Sequence, residues 1–396
     1  MKTVIVHDFL FQYGGAEKVV EKWLEMYPDA IIYTSFCIPE KFQSSTTFSK
    51  AFDENRIITS FAQRIFDIKN QNGGSKFIRF QKHFFWLYPL SMRSIKIKNA
   101  GLVLISSTDC AKQVRLQNCN KVIHYCHSPT RYLNGLTTDT EHATLSLAYK
   151  LLLPLFTWWL KILDHDAVKY LNNQNTIWVA NSKYIQKTIK NVYHTRSEVI
   201  YPPIELNKFL DNPRLKNKKE FYLCHGRISF HKRLDLAIET CLKLGKKLKI
   251  SGTSALDKQT EDLKKIVSDY NTTHPESVGL IEFLGRTSDE EVLELMSECK
   301  AFLFPGKEDF GIAPIEMLAA GVPIIAYEDG GALEYVQNGI NGVFFDEQSI
   351  KSMVKAIENF EASFIENTQN IRKTTLPFDE SKFRNSINDV VAQKMT

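Results

Sequence analysis

Long apolar runs are missing from this chain of 396 residues. No window reaches the roughly 20 uninterrupted apolar residues that a helix needs to cross a bilayer. The nearest approach, LLLPLFTWWLKIL at 151–163, is broken by Pro154 and Lys161. The start, MKTVIVHDF, has one lysine and then a strand-like run ending at His7-Asp8, which is not the pattern of a secretory signal. Cysteine is scarce: seven residues, odd in number, scattered and without a Cys-x-x-Cys pair. That excludes a disulfide scaffold and favours a reduced, cytoplasmic setting. Two nucleotide signatures are also absent. Neither G-x-G-x-x-G nor G-x-x-x-x-G-K-[ST] occurs, which argues against a dinucleotide fingerprint and a P-loop NTPase. Acidic residues vanish between Asp67 and Asp109, where seven basic ones stand.

What is present is enough apolar material, 43% of the residues, for a large core and about two domains. The net charge of +5 hides an asymmetry: residues 1–200 hold 25 basic and 15 acidic residues, residues 201–396 hold 25 and 30. A basic face suits anionic lipid, phosphate or nucleic acid, or it is simply solvated. No RNA- or DNA-binding motif accompanies it, so nucleic acid is not an expected partner.

Short apolar runs alternate with helical patterns along the whole chain. TVIVHDF (3–9), AIIYTSF (30–36), LVLISS (102–107), VIHYCHS (122–128) and TIWVANS (176–182) read as buried strands. After the Pro-Pro pair of VIYPPIELNKF (199–209), an expected linker, the pattern restarts with FYLCHGR (221–227), KLKISG (247–252), IEFLG (281–285), KAFLF (300–304), VPIIAY (322–327) and NGVFF (341–345). The expected fold class is α/β, with two doubly wound, Rossmann-like domains at 1–200 and 201–378 and a closing helix at 379–396.

Three places can carry chemistry. Gly14-Gly15, between a first strand and a first helix, offers close backbone approach and free N–H groups to an anion, or is only a tight turn. In HGRISFHKRLDLAIE (225–239), Arg227 ends a strand while Lys232 and Arg233 open a helix, where cations oppose the dipole unless an anion binds there. In FPGKEDFGIAPIE (304–316), a helix starting near Gly311 would aim N–H groups at a phosphate between Glu308 and Glu316. Carboxylates accept hydrogen bonds from vicinal hydroxyls, so a phosphate flanked by two polyols points to a nucleotide sugar.

The run EDFGIAPIE is similar to the E-x7-E motif of the family-four retaining glycosyltransferases of GT-B fold. GGAEKVV, VIYPPIE, GRISFHKRLDLAIE, FLGRTSDEEV and GGALEYV resemble that family in the same order. HDFLFQYGGAEKVVEKW and HYCHSPTRYL resemble, more narrowly, bacterial O-antigen and polysaccharide mannosyltransferases. The resemblance implies two domains facing across a cleft, and transfer of a hexose, mannose from GDP-mannose, onto a lipid-linked surface glycan without a metal or other cofactor. By position, Arg227 and Lys232 would hold the diphosphate, with Phe310, Gly311 and Ile312 beside it. Glu308 would contact the sugar and Glu316 the ribose. His127 would lie near the sugar, Gly15 beside the phosphates or the acceptor, and Gly285 with Arg286 near the base. The last helix, through Phe383, Ile387, Val390 and Val391, would cross back onto the first domain.

Other readings stay open: a different nucleotide-sugar donor, an epimerase or phosphorylase of the same fold, or a non-catalytic sugar-nucleotide-binding subunit. Asp164-His165-Asp166 resembles a metal-binding D-x-D, but it lies in a helical stretch and reads as structural. Cys119, His124, Cys126 and His127 lie close in sequence, yet on a strand His127 faces away from His124 and Cys126. Finally, KFIRFQKHFFWLYPLSMRSIKIK (76–98) interleaves basic and aromatic residues, with Phe77, Phe80, Phe84 and Tyr88 on one helical face. It is expected to hold the enzyme peripherally on an anionic membrane; the alternative is that its aromatics are core and its cations merely solvated.

Overall fold

The computed structural model describes residues 2–70, 86–134, 147–210, 220–254 and 257–393. The chain divides into two compact units, Met1–Pro203 with Phe383–Thr396, and Ile204–Lys382.

In the first unit the strands are β1 (Thr3–His7), β2 (Ile31–Thr34), β3 (Ile57–Thr59), β4 (Lys96–Lys98), β5 (Leu102–Ser107), β6 (Arg115–Gln117), β7 (Lys121–Cys126), β8 (Ile177–Ala180) and β9 (Glu198–Val199). Seven of them form one sheet in the order β3-β2-β1-β5-β7-β8-β9, every pair parallel. All five residues of β1 and all six of β5 are buried, because helices cover both faces of the sheet. Val4, Val6, Val103 and Ile105 point into one core with Met92, Leu171 and Trp178. Ile5, Leu102 and Leu104 point into the other, with Val19, Val20 and Trp23 from the helix Gly15–Met26. The helix Glu380–Ala392 fills the second core with Phe383, Ile387 and Val390. Burial of such side chains contributes about 1.5–3 kcal/mol each. Lys121 closes its end, donating from Nζ to the Val391 carbonyl at 2.7 Å.

In the second unit, β10 (Phe221–His225), β11 (Lys247–Ser251), β12 (Ile281–Gly285), β13 (Phe302–Phe304), β14 (Ile324–Tyr327) and β15 (Gly342–Phe345) form a parallel sheet ordered β12-β11-β10-β13-β14-β15. Its core packs Tyr222, Leu248, Ile250 and Leu303 against the helices Leu234–Leu244 and Ile350–Ser363. The helix Asp289–Glu298 begins with the capping box that its sequence announces: Ser288 Oγ accepts the Glu291 N–H, and Glu291 returns the bond to the Ser288 N–H at 2.7 Å.

The basic aromatic stretch needs a correction. Residues 71–85, with Lys76, Phe77, Arg79, Phe80, Lys82, Phe84 and Phe85, lie outside the described residues. In the described remainder, Tyr88 is not on an outer face. It is 3% exposed and packs edge-on against Phe9, ring centres 4.7 Å apart, because it belongs to the helix Leu87–Arg93 that covers the sheet. Arg93 pairs with Asp166 rather than standing free. The apolar run at 151–163 forms part of a 26-residue helix, Leu147–Asn172, which continues through Pro154. No described helix is long and apolar enough to cross a membrane.

Candidate functional site

In an open parallel sheet, ligands bind beyond the carboxyl ends of the strands where the strand order reverses. In the second unit that point lies between β10 and β13. Lys232 stands there on a short 3-10 turn, Phe230–Lys232, and Glu308 stands in the loop after β13. The Lys232 ammonium lies 3.0 Å from Glu308 Oε1, with the two side chains 19% and 17% exposed.

Two glycines make this approach possible. A Cβ on Gly306 would lie 2.5 Å from the Lys232 Cα and from the His231 carbonyl oxygen. Gly330 has φ +64° and a Cβ there would lie 2.5 Å from the Glu308 carbonyl oxygen, the same oxygen that accepts the Gly331 N–H at 2.8 Å. These positions were not picked out from the sequence as site residues. The Pro-Gly and Gly-Gly pairs were the available signal.

The helix Ile312–Ala319 begins after Gly311, whose φ is +88°, with no side chain capping it. Pro314 sits at its third position, where a missing N–H removes no intrahelical bond. Glu316 lies half-buried about one turn inside, as the spacing predicts. Phe310 is placed differently from a ligand-facing residue. Its ring is 3% exposed, packed against Tyr335 and Phe378, and its carbonyl accepts the Tyr335 hydroxyl at 2.9 Å.

Arg227 does not end β10, which stops at His225; it is exposed two residues beyond. Arg233 has φ +51° and its guanidinium pairs with Asp235 at 3.0 Å, so the first turn of its own helix offsets that charge. Gly285 ends β12 at the same carboxyl edge, and Arg286 follows it. Ser251 links across it, 2.9 Å from His225 Nδ1 and 2.6 Å from Thr287 Oγ1.

In the first unit the reversal lies between β1 and β5. Gly15 opens the helix Gly15–Met26, but the Gly14 N–H is already taken by Glu17 Oε2 at 3.0 Å, so an internal carboxylate occupies part of the expected anion position. His127 follows β7, 7% exposed, its Nε2 2.8 Å from Ser106 Oγ. Burial, and then the nearby His7, push its pKa down to about 3, so it is neutral. Asp8 anchors the loop after β5, accepting the Asp109 N–H at 3.0 Å and the Ala111 N–H at 2.5 Å. His7, Asp8, Glu17 and Ser106 were missed from sequence because only the fold gathers them.

Asp164 is buried on the long helix, 2.9 Å from Lys112 Nζ and accepting the Tyr193 hydroxyl at 2.7 Å. His124 Nε2 lies 2.7 Å from Ser107 Oγ, and the Cys119 thiol is directed at main-chain carbonyls. Among the described residues, no three His, Cys, Asp or Glu side chains come together to hold a metal ion.

Residues 207–375 match the family model described as glycosyl transferases group 1. The human alpha-1,3/1,6-mannosyltransferase ALG2 is 25% identical over 267 residues, 61% of this chain and 59% of the relative. The ALG2 of Candida glabrata is 27% identical over 376 residues, covering 85% and 78%. The match thus spans about three-fifths of the human and mouse proteins. Among solved structures, Anabaena Alr3699/HepE in complex with UDP-glucose aligns with a TM-score of 0.65 at 15% identity, over 99% of this chain and 100% of that one. Sucrose-phosphate synthase from Thermosynechococcus elongatus aligns at 0.67 and 14%, over 98% of each.

Proposed function

We propose that this chain, a family-four-like glycosyltransferase of GT-B fold whose residues 207–375 match the group 1 domain, moves mannose from GDP-mannose onto a growing, lipid-linked bacterial surface glycan. The observation that carries the reading is the Lys232–Glu308 pair at the switch point of the second sheet. A pair that keeps about a fifth of its surface in solvent can exchange partners when a ligand arrives. Lys232, with Arg227 and the N–H groups at the start of Ile312–Ala319, would take the diphosphate. Glu308 would take hydroxyls of the sugar, and Glu316 those of the ribose.

Charge grows on the departing phosphate, so these donors stabilise the transition state more than the ground state. The bond from the anomeric carbon to the phosphate oxygen breaks, and a bond to the acceptor hydroxyl forms on the same face. The hydroxyl proton leaves with the phosphate. In this reading the protein cations do the work of a metal.

Mannose is supported by the alpha-1,3/1,6-mannosyltransferases among the relatives. A UDP-hexose is the competing donor, favoured by the UDP-glucose bound to a structural neighbour. Peripheral contact with a membrane surface is supported by the helix Leu147–Asn172. Leu155, Trp158 and Ile162 share one of its faces and are 61%, 62% and 47% exposed, beside an exposed Lys161.

Thermal unfolding with GDP-mannose, UDP-glucose and UDP-galactose, each with Mg²⁺ and with EDTA, tests the reading. GDP-mannose should raise the midpoint equally in both buffers. A shift with UDP-sugars alone would move the donor assignment to UDP. Strict Mg²⁺ dependence would remove the metal-free mechanism. Turnover without an acceptor, or with free phosphate, would indicate an epimerase or a phosphorylase.

A further inference from the structure

A buried chain of polar groups runs through the switch point of the first sheet. Glu17 Oε1 faces His7 Nε2 at 3.6 Å, His7 Nδ1 lies 3.0 Å from Ser106 Oγ, and the same oxygen lies 2.8 Å from His127 Nε2. His7, Ser106 and Glu17 are 2%, 0% and 5% exposed. A hydroxyl has one proton and two lone pairs, so Ser106 gives its proton to one imidazole and accepts from the other, since accepting from both would leave its own proton without a partner in the chain. Glu17 Oε2 takes the Gly14 N–H, and its other oxygen faces His7 Nε2, which favours a proton on that nitrogen.

Two arrangements satisfy every contact and also place the Ser106 proton within the chain. If His7 carries both ring protons, its Nδ1–H donates to Ser106, Ser106 donates to His127 Nε2, and His127 must carry its proton on Nδ1. If His7 loses the Nδ1 proton, Ser106 turns to donate to His7, and His127 must donate from Nε2, which leaves Nδ1 bare. One proton on His7 therefore reverses the polarity of the far nitrogen of His127.

We propose that His7 and Ser106 are positioning residues that set the tautomer of His127, so that its Nδ1 presents a hydrogen-bond donor to a sugar hydroxyl when His7 is cationic and an acceptor when it is not. The tautomer coupling follows from the chain of contacts alone; the sugar as its object rests on the glycosyl-transfer reading. The charged groups facing His7 are Glu17, from the helix Gly15–Met26, and Asp8, at the end of its own strand; neutral His127 faces it through Ser106. Burial works against a charge on His7, but Glu17, Asp8 and the Ser106 main chain outweigh it and raise its pKa, which widens the pH range over which His127 presents the donor form.

The test is a ring ¹⁵N spectrum of the full chain across pH. While His7 is cationic, His127 should show a protonated Nδ1 and a bare Nε2. As pH rises and His7 loses its proton, the two should exchange. A protonated Nε2 on His127 while His7 is cationic, or a tautomer indifferent to His7, overturns the proposal. Ser106→Ala should uncouple the two rings and Ser106→Thr should restore the coupling. In a transfer assay, Ser106→Ala should lower kcat roughly tenfold while the donor KM changes little. Coupling in the spectrum with no turnover of any nucleotide sugar would leave the relay standing and remove the activity. Turnover with no coupling would do the reverse.

Discussion

Both units set a lysine against a carboxylate at nearly the same distance, 2.9 Å for Lys112 and Asp164 in the first and 3.0 Å for Lys232 and Glu308 in the second. Their surroundings are opposite. Lys112 and Asp164 are 1% and 5% exposed, and every direction is filled: Thr130 Oγ1 and the Asp109 carbonyl accept from Lys112 at 2.7 Å, and Tyr193 donates to Asp164. Burial opposes the charge on Lys112, but Asp164 and Tyr193 outweigh it and hold its pKa well above the ordinary value. Lys232 and Glu308 sit at a strand end, a fifth exposed, between glycine-lined loops. The same pair of groups is thus a fixed part of the fold in one unit and a candidate ligand site in the other. The environment, not the residue types, makes that difference.

Removing one partner of each pair breaks the comparison most directly. Lys112→Met leaves Asp164 buried without its counter-charge and should lower stability by about 3–5 kcal/mol. All five tryptophans lie in residues 1–200, so urea unfolding followed by indole fluorescence reads the first unit alone. A midpoint equal to wild type would show that Asp164 finds another partner.

Lys232→Ala should do the opposite. kcat/KM for glycosyl transfer should fall at least about tenfold, the loss of one charge-assisted bond to a developing phosphate charge, with unfolding nearly unchanged. Glu308→Gln should impair transfer as well, and Glu316→Gln should weaken donor binding. Wild-type turnover in Lys232→Ala would remove the phosphate role from this pair.

The smallest effects are those of pH, and they have opposite signs in the two units. Burial and then the charge of Asp8 push the Asp109 carboxyl up to about 7, against the pull of Lys112 and the Tyr132 hydroxyl. An unfolded Asp titrates at about 4. Between those values the folded chain binds the extra proton, so stability falls as pH rises from about 4 to about 7. Glu361 is the reverse. Burial would raise its pKa, but hydrogen bonds from Lys246, Lys300 and Tyr222 bring it down to about 2. Its stabilisation is complete above the unfolded value of about 4 and is lost as pH falls toward 2. Calorimetric midpoints should therefore lose their decline between pH 4 and 7 in Asp109→Asn, and part of their acid decline in Glu361→Gln. Unchanged slopes would reassign both.

Much of the fold was legible before any tertiary contact. β5, β7, β11 and β13 appear where short apolar runs stand between turn signals; both faces of β5, β7 and β13 are buried as continuous hydrophobic runs require, while β11 alternates, with Leu248 and Ile250 buried and Lys247 exposed. The helix start at Gly311 and the capping box at Ser288 are local events, set by residues within four positions of each other. The short edge strands Ile57–Thr59 and Glu198–Val199 were not legible, because a segment of two or three residues has no periodicity to read.

The chain by itself determined two parallel α/β sheets, the glycine-bearing loops at their carboxyl ends, and the residue types gathered in those loops. Only the tertiary structure decided which of those residues meet. His7 reaches Ser106 from 99 residues away because β5 was inserted beside β1 in the sheet order. Lys232 met Glu308, rather than waiting for an anion, because Gly306 lets one loop rest on the other's backbone. Asp164 was taken by Lys112, and Phe310 by Tyr335 and Phe378. Local propensity acts over a turn or a strand, whereas partner choice depends on strand order and on where a Cβ would collide, and neither is written in any single stretch of sequence.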